Sequence, residues 1–405
     1  MRISFAIFIC LFFTSVHAAD RGSYPFDEFV TSYWYGPPSE FTTLERYQEI
    51  KDANFNLVFP GGNNTVEQNR QILDFCKKLG MKALIADTRM VTAIGKSGEA
   101  RARLDAIVRD YHDCSALSGY FVLDEPGADQ FPGLAEVVAY LKEKDPAHPG
   151  FINLFPTYAD PATQLKTRNY QEHVDQFVQT VKPFVISYDN YSMIKGGDRG
   201  DFSQNLAIIR NASLKSHTPF WNIVLCVQHY DYRDLTEPEL RYQAMQTLAF
   251  GGKGLLWYTY WYPGPPNPTV QHAMINHDGS RDKHYEMIKQ INADARAIGN
   301  VLFDAESWAT FQSGARPEFS APKATPIEPA GAGELTIGVF NAAGGKTLAL
   351  IANRDYKSVV KTQVHVNGQK VEQFDARRGT WQAAQWQQQN IALEIPAGDA
   401  VLLRW

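Results

Sequence analysis

Four cysteines in 405 residues are too few for a disulfide framework, and none stands at a metal-binding spacing with histidine. Cys10 falls in the first apolar run, so Cys76, Cys114 and Cys226 are expected as buried free thiols. Basic excess is also lacking. The chain has 39 Lys and Arg against 44 Asp and Glu, a net charge of −5, which excludes the basic footprint of a nucleic-acid binder. No glycine-rich phosphate loop follows the first strand-like run, and no cofactor is implied. Beyond residue 19, no apolar run is long enough to span a bilayer.

The first run reads as a targeting segment. Arg2 precedes an apolar stretch from Ile3 to Phe13, and small residues lead to Ala18 and Ala19. That order is the pattern of a signal peptide over 1–19, so the mature chain is expected to be secreted or periplasmic, with no membrane association. Asn63, Asn190 and Asn211 stand in glycosylation sequons.

What is present is an alternation. Short apolar runs at Phe29–Trp34, Asn56–Phe59, Lys82–Ala86, Gly119–Leu123, Gly150–Leu154, Phe184–Tyr188, Phe220–Val227 and Gly254–Tyr260 alternate with amphipathic stretches of helical period. Eight such units predict a (β/α)₈ TIM barrel over residues 20–305. After Val301 the period changes to two. Leu335–Asn341, Thr347–Asn353, Thr362–Val366, Ile391–Glu394 and Ala400–Trp405 predict an antiparallel β-sandwich domain over 306–405, entered through a Pro/Ala/Gly-rich linker near 314–334.

A barrel of this kind carries its chemistry at the C-terminal ends of the strands. Those ends hold Trp34 and Tyr35, Asp87 and Arg89, Asp124 and Glu125, Asn153, Tyr188, Asp189 and Tyr191, Gln228 and His229, and the aromatic run Trp257, Tyr258, Tyr260, Trp261. The strand starts have little acid or aromatic content. Carboxylates, amides and flat rings gathered on one rim fit a carbohydrate substrate, because sugar C–H faces stack on aromatic rings. Glu125 follows the apolar run Tyr-Phe-Val-Leu, so desolvation would keep its carboxyl protonated as an acid catalyst. A second carboxylate is needed for most glycoside hydrolyses, and Asp189 is the first candidate, with Asp124 beside it. Trp261 is expected to face the pocket.

The barrel pattern, the acidic pair ending in Glu125 and the aromatic eighth strand with Trp261 resemble the clan A (β/α)₈ glycoside hydrolases, over roughly residues 28–302. The resemblance implies that Glu125 is the general acid/base. Two positions depart from it. Asp124 stands where the clan usually has Asn, and Gln228 stands where its seventh-strand nucleophilic Glu would fall. Three mechanisms follow, in order. Asp189 serves as base or nucleophile; or Asp124 or Asp189 orients a substrate acetamido group, as in the similar hexosaminidase and chitinase families; or Asp231 reaches the site. Two other classes compete, a non-catalytic carbohydrate-binding barrel and a polysaccharide lyase using Tyr188, His229 and Arg89.

Overall fold

The computed structural model describes residues 24–59, 64–94, 98–262, 264–314, 319–387 and 389–405. The expected signal peptide and the Asn63 sequon lie outside the described residues. Eight parallel strands form one sheet: β1 (Val30–Tyr33), β2 (Leu57–Val58), β3 (Lys82–Ile85), β4 (Leu117–Asp124), β5 (Gly150–Leu154), β6 (Ile186–Asn190), β7 (Phe220–Leu225) and β8 (Gly254–Tyr258). β1 pairs with β8, and the remaining seam between β1 and β2 is closed largely by one side chain. Asn56 N–H donates to Thr31 O (3.2 Å), while the Asn56 amide accepts from Thr31 N–H (2.8 Å) and donates to Phe29 O (2.9 Å). That closes a TIM barrel.

The helices α1 (Leu44–Asp52), α2 (Val66–Leu79), α3 (Gly98–Tyr111), α4 (Phe131–Lys144), α5 (Tyr170–Val181), α6 (Phe202–Ser216), α7 (Glu237–Ala249) and α8 (Lys283–Leu302) lie outside the sheet. Local signals start and stop them. Thr65 and Gln68 form a capping box at α2, and Gly80 ends that helix at φ 67°.

Strand alternation splits the buried residues into two layers. Val30, Trp34, Leu57, Phe59, Leu84, Phe151, Trp221, Ile223 and Leu256 fill the barrel interior. Tyr33, Ala83, Ile152, Leu154, Tyr188, Val224 and Trp257 face the helices. The interior is plugged at the strand starts by Trp221, which donates to the Tyr24 hydroxyl (2.9 Å) and packs against Phe26, Phe151 and Phe184. Gly254 makes room for that indole, since a Cβ there would lie 2.4 Å from the ring.

The chain leaves α8 directly into β9 (Glu306–Gln312), followed by β10 (Ile327–Pro329), β11 (Leu335–Ala342), β12 (Lys346–Asn353), β13 (Val360–Val366), β14 (Glu372–Asp375), β15 (Thr380–Ala383), β16 (Trp386–Gln387), β17 (Asn390–Ile395) and β18 (Ala400–Arg404). A six-stranded sheet runs β9-β11-β12-β18-β14-β15 and a four-stranded sheet runs β10-β13-β17-β16. Leu335, Ile337, Val339, Ala349 and Ile351 pack on Val364, Val366, Ile391 and Leu393 of the other sheet. The opposite face of the larger sheet is also buried: Phe340, Leu348, Leu350 and Leu402 join the core of the barrel's helical layer. This double burial explains the unbroken apolar run Leu348–Ala352. The segment read as linker holds strand β10, which pairs with β13.

Candidate active site

Five inward or rim-facing positions on or just beyond three adjacent strands meet at the C-terminal end of the barrel. β4 ends in Asp124 and Glu125, β5 contributes Asn153, and β6 contributes Ser187 and Asp189. Asn153 holds them together. Its Nδ2 donates to Asp124 Oδ1 (3.1 Å) and to Asp189 Oδ1 (2.9 Å), one hydrogen to each. Ser187 Oγ donates to Asn153 Oδ1 (3.0 Å), which fixes the amide's orientation. Glu125 N–H donates to Asn153 O (2.8 Å).

Glu125 has φ 46°, in the left-handed region that a side chain with Cβ seldom occupies. Tyr35 (φ 55°) and Tyr230 (φ 47°), after β1 and β7, share this conformation. Strained backbone of this kind gathers at functional sites.

The electrostatics follow from three carboxyls in one pocket. Glu125 and Asp189 act on one another directly, and a hydrogen bond between two carboxyls requires that one of them carry a proton. Asp189 is buried, and burial together with the charges of Glu125 and Asp124 holds its carboxyl well above the usual range. It is therefore the member that donates to Glu125. Burial first, and then the charge of Asp124, push Glu125 up to about 7. Asp124 is exposed, but the surrounding protein raises it to about 6, against the opposing bonds from Asn153 and the Glu125 backbone. Among the described residues, no lysine or arginine is among the groups shifting these three carboxyls.

Tyrosines wall the pocket. Tyr191 lies 5.2 Å from Tyr258 and 5.8 Å from Tyr232, centroid to centroid, and Tyr35 lies 6.2 Å from Tyr258. His229 packs 4.6 Å from Tyr232 and 5.5 Å from Tyr258. Its Nδ1 meets Val227 O (3.0 Å), so that nitrogen carries the proton; burial lowers its pKa and leaves Nε2 as an acceptor. Tyr158 accepts from Tyr191 N–H (3.2 Å), and the Arg199 guanidinium lies over both the Tyr158 ring (4.4 Å) and the Tyr232 ring (5.7 Å). Tyr158 and Tyr232 escaped the sequence reading because both sit in loops, beyond the strand ends. The tyrosine-rich stretch Tyr230-Asp-Tyr232 was the signal that could have found one of them. Tyr230 is 71% exposed beside His229.

Several expected positions lie elsewhere. Asp87 and Arg89 face the helices: Asp87 accepts from Arg89 and from the Tyr111 hydroxyl (2.6 Å), and Arg89 also pairs with Asp110 (2.7 Å). Trp257 is buried and donates to Asn292 of α8 (2.8 Å). Tyr188 and Tyr260 are wholly buried in the helix-facing core. Trp261 is buried against Phe41 (4.9 Å), with the Arg46 guanidinium 5.5 Å from its ring. Trp34 stacks edge-on to Phe59 and Phe121 inside the barrel, next to Tyr35 of the rim. Gln228 is half-buried in a two-residue bridge with Gln271. Asn190 is buried against Asn205 of α6, so its sequon is closed in the folded chain.

Cys76 and Cys226 are buried free thiols, and Cys114 is a half-buried one. Among the described residues, no group of three His, Cys, Asp or Glu could hold a metal ion, and no helix is long and apolar enough to cross a membrane.

No protein-family model matches the sequence, and no curated protein matches it. Solved structures do. A β-galactosidase from Bacillus circulans sp. alkalophilus superposes at TM-score 0.67 and 10% identity, over 94% of this chain and 99% of that one. A catalytic mutant of a GH42 β-galactosidase from G. stearothermophilus gives TM-score 0.63 at 9% identity, over 94% and 99%. The β-galactosidase of the psychrophilic Marinomonas ef1 gives 0.52 at 10% identity, over 68% of this chain, which spans only 62% of that protein's length. The chain thus has the TIM-barrel fold of the clan A glycoside hydrolases.

Proposed function

We propose that the chain is a glycoside hydrolase and that Glu125 is its general acid. The observation that carries this reading is the Glu125–Asp189 contact beside Asp124 on one tyrosine-walled rim. Three carboxyls crowded together, with no neutralising cation acting on them, destabilise a fold, and a proton-donating pocket makes use of that arrangement. Glu125, raised to about 7, holds a transferable proton near neutrality.

Paired carboxyls of glycosidases stand about 5–5.5 Å apart for retention and about 6.5–9.5 Å apart for inversion. Asp189 is buried and holds its own proton, which suits neither a nucleophile nor a base. We therefore assign Asp189 to holding and reloading Glu125, and Asp124, the most open of the three, to facing the sugar. Asp124 then either activates water or orients an acetamido group on the substrate. A neutral glycan, including an N-acetylated one, suits this site better than a uronate, whose carboxylate would add a further negative charge beside three crowded carboxyls.

The test is a screen of glycans and aryl glycosides with product stereochemistry followed by NMR. Glu125→Gln should lower turnover by about 10²–10⁴-fold while substrate binding persists. Inversion would assign Asp124 to water activation. Retention limited to 2-acetamido substrates would assign it to orientation. A parent protein that binds glycans but turns none over would replace this reading with a carbohydrate-binding barrel.

A further inference from the structure

β9 carries a bulge. Ser307 pairs with Phe340 and Ala309 with Val339, so Trp308 is the extra residue between them. A bulge of this kind re-aims one side chain, and here the chain turns an indole outward. Trp308 is 41% exposed, whereas the next odd-numbered positions, Ala309 and Phe311, are buried in the sandwich core. Ser307 beside it is held fast. Arg210 of α6 donates to Ser307 Oγ (3.0 Å) and Ser307 O (3.3 Å), and a Cβ on Gly251 would lie 3.1 Å from that of Ser307. The ring is therefore presented from a rigid support.

Around the indole lies a shallow concavity of about 290 Å³, lined by Trp308, Ala324, Thr325, Pro326, Asn341 and Asn367. A backbone bond from Asn367 N–H to Pro326 O (2.9 Å) joins its two sides. Asn341 and Asn367 are exposed, and neither amide side chain has a hydrogen-bond partner among the described residues. No lining residue is ionisable. A flat ring flanked by two uncommitted amides and no charge matches a neutral sugar: C–H faces stack on the indole, and the amides give and accept bonds with hydroxyls. The same absence of charge, with a net −5 on the chain, disfavours phosphates, acidic peptides and nucleic acid.

We propose that this concavity is a second carbohydrate-binding site, taking one neutral pyranose unit of a polymeric glycan. Gly251 lies in the turn from α7 into β8, before the strand starts, so the site sits at the end of the barrel opposite Glu125. It acts by tethering the polymer, raising its effective concentration near the catalytic rim. It does not depend on the hydrolase reading.

Affinity electrophoresis tests it, with galactan, xyloglucan, galactomannan or mixed-linkage β-glucan cast into native gels. The parent and Glu125→Gln should both be retarded by at least one glycan, and Trp308→Ala should lose most of that retardation, keeping only what the catalytic rim provides. Asn341→Ala/Asn367→Ala is the second variant and should lose most of the retardation with the indole intact; unchanged thermal melting confirms that both variants fold. Retardation of Trp308→Ala equal to the parent's, or no retardation of the parent by any glycan, overturns the proposal. A parent that is retarded but cleaves nothing removes the hydrolase and leaves this site. A parent that cleaves an aryl glycoside but is not retarded removes this site alone.

Discussion

Asn153 is the residue on which the rim turns. One amide nitrogen serves two carboxylates, and its own oxygen is satisfied by Ser187, so Asp124 and Asp189 are held at fixed places relative to Glu125. The carboxyls themselves are under electrostatic stress, and that stress has a sign. A carboxyl whose folded pKa is raised contributes stability that is full below the unfolded value near 4 and is lost as pH rises through the folded value. For Asp124 and Glu125 the loss falls between pH 4 and about 6 to 7. Glu125→Gln should therefore melt higher than the parent at pH 8, by roughly 1–3 kcal/mol, and the gain should vanish near pH 4. Parallel melting curves for the two proteins across that range would refute the buried-carboxyl account. The activity profile draws on the same two groups. Turnover should fall below about pH 6, where Asp124 takes up a proton, and above about pH 7, where Glu125 gives its proton up. A plateau reaching pH 9 would remove Glu125 as the proton donor.

At the scale of elements, the decisive property is which face of a strand each residue occupies. The apolar runs of the sequence mark the eight strands closely, and helices such as Val66–Leu79 and Tyr170–Val181 occupy the stretches of helical period between them. Facing direction is harder to read, because a shift of one residue reverses it. The sixth run, read from Phe184 to Tyr188, forms its strand at Ile186–Asn190, which puts Asp189 inside the barrel and Tyr188 against the helices. On β8, Leu256 and Tyr258 face inward and Trp257 outward. The chain then leaves the ladder, so Tyr260 and Trp261 no longer follow the alternation. Aromatic density marked the right strand there but could not choose between core and pocket. Asp87 shows the same limit: Arg89 two residues on is a partner the sequence itself offers, but only the packing of α3 brings in Tyr111. A close approach between strands is testable directly. Gly254→Ala would drive a methyl into the Trp221 ring and should cost about 1–3 kcal/mol, with Gly254→Ala/Trp221→Phe recovering part of it. Additive losses in the double variant would place the cost somewhere other than this contact.

Across the whole molecule, α7 is where barrel and sandwich become one body. Ten of its residues from Glu239 to Ala249 are buried, polar and apolar alike, because the barrel covers one side and the six-stranded sheet the other. The approach is closest at two glycines. A Cβ on Gly338 would lie 2.0 Å from Ala249 O, and one on Gly398 would lie 2.2 Å from Pro238 O. Arg241 sits within this seam. It pairs with Glu237 (2.7 Å) and with Asp294 of α8 (2.7 Å), and Asp399 of the sandwich lies 3.7 Å away. Burial raises Asp399 despite that cation. Removing one member of a buried pair leaves an uncompensated charge, so Arg241→Ala should cost about 3–5 kcal/mol, whereas Arg241→Met with Asp294→Leu should recover much of it. Because the seam is shared, both parts should lose stability together. Calorimetry should show one transition in the parent and one, at lower temperature, in Arg241→Ala. Two separated transitions in the parent would mean that the barrel stands without its sandwich, and that α7 tolerates an uncovered face.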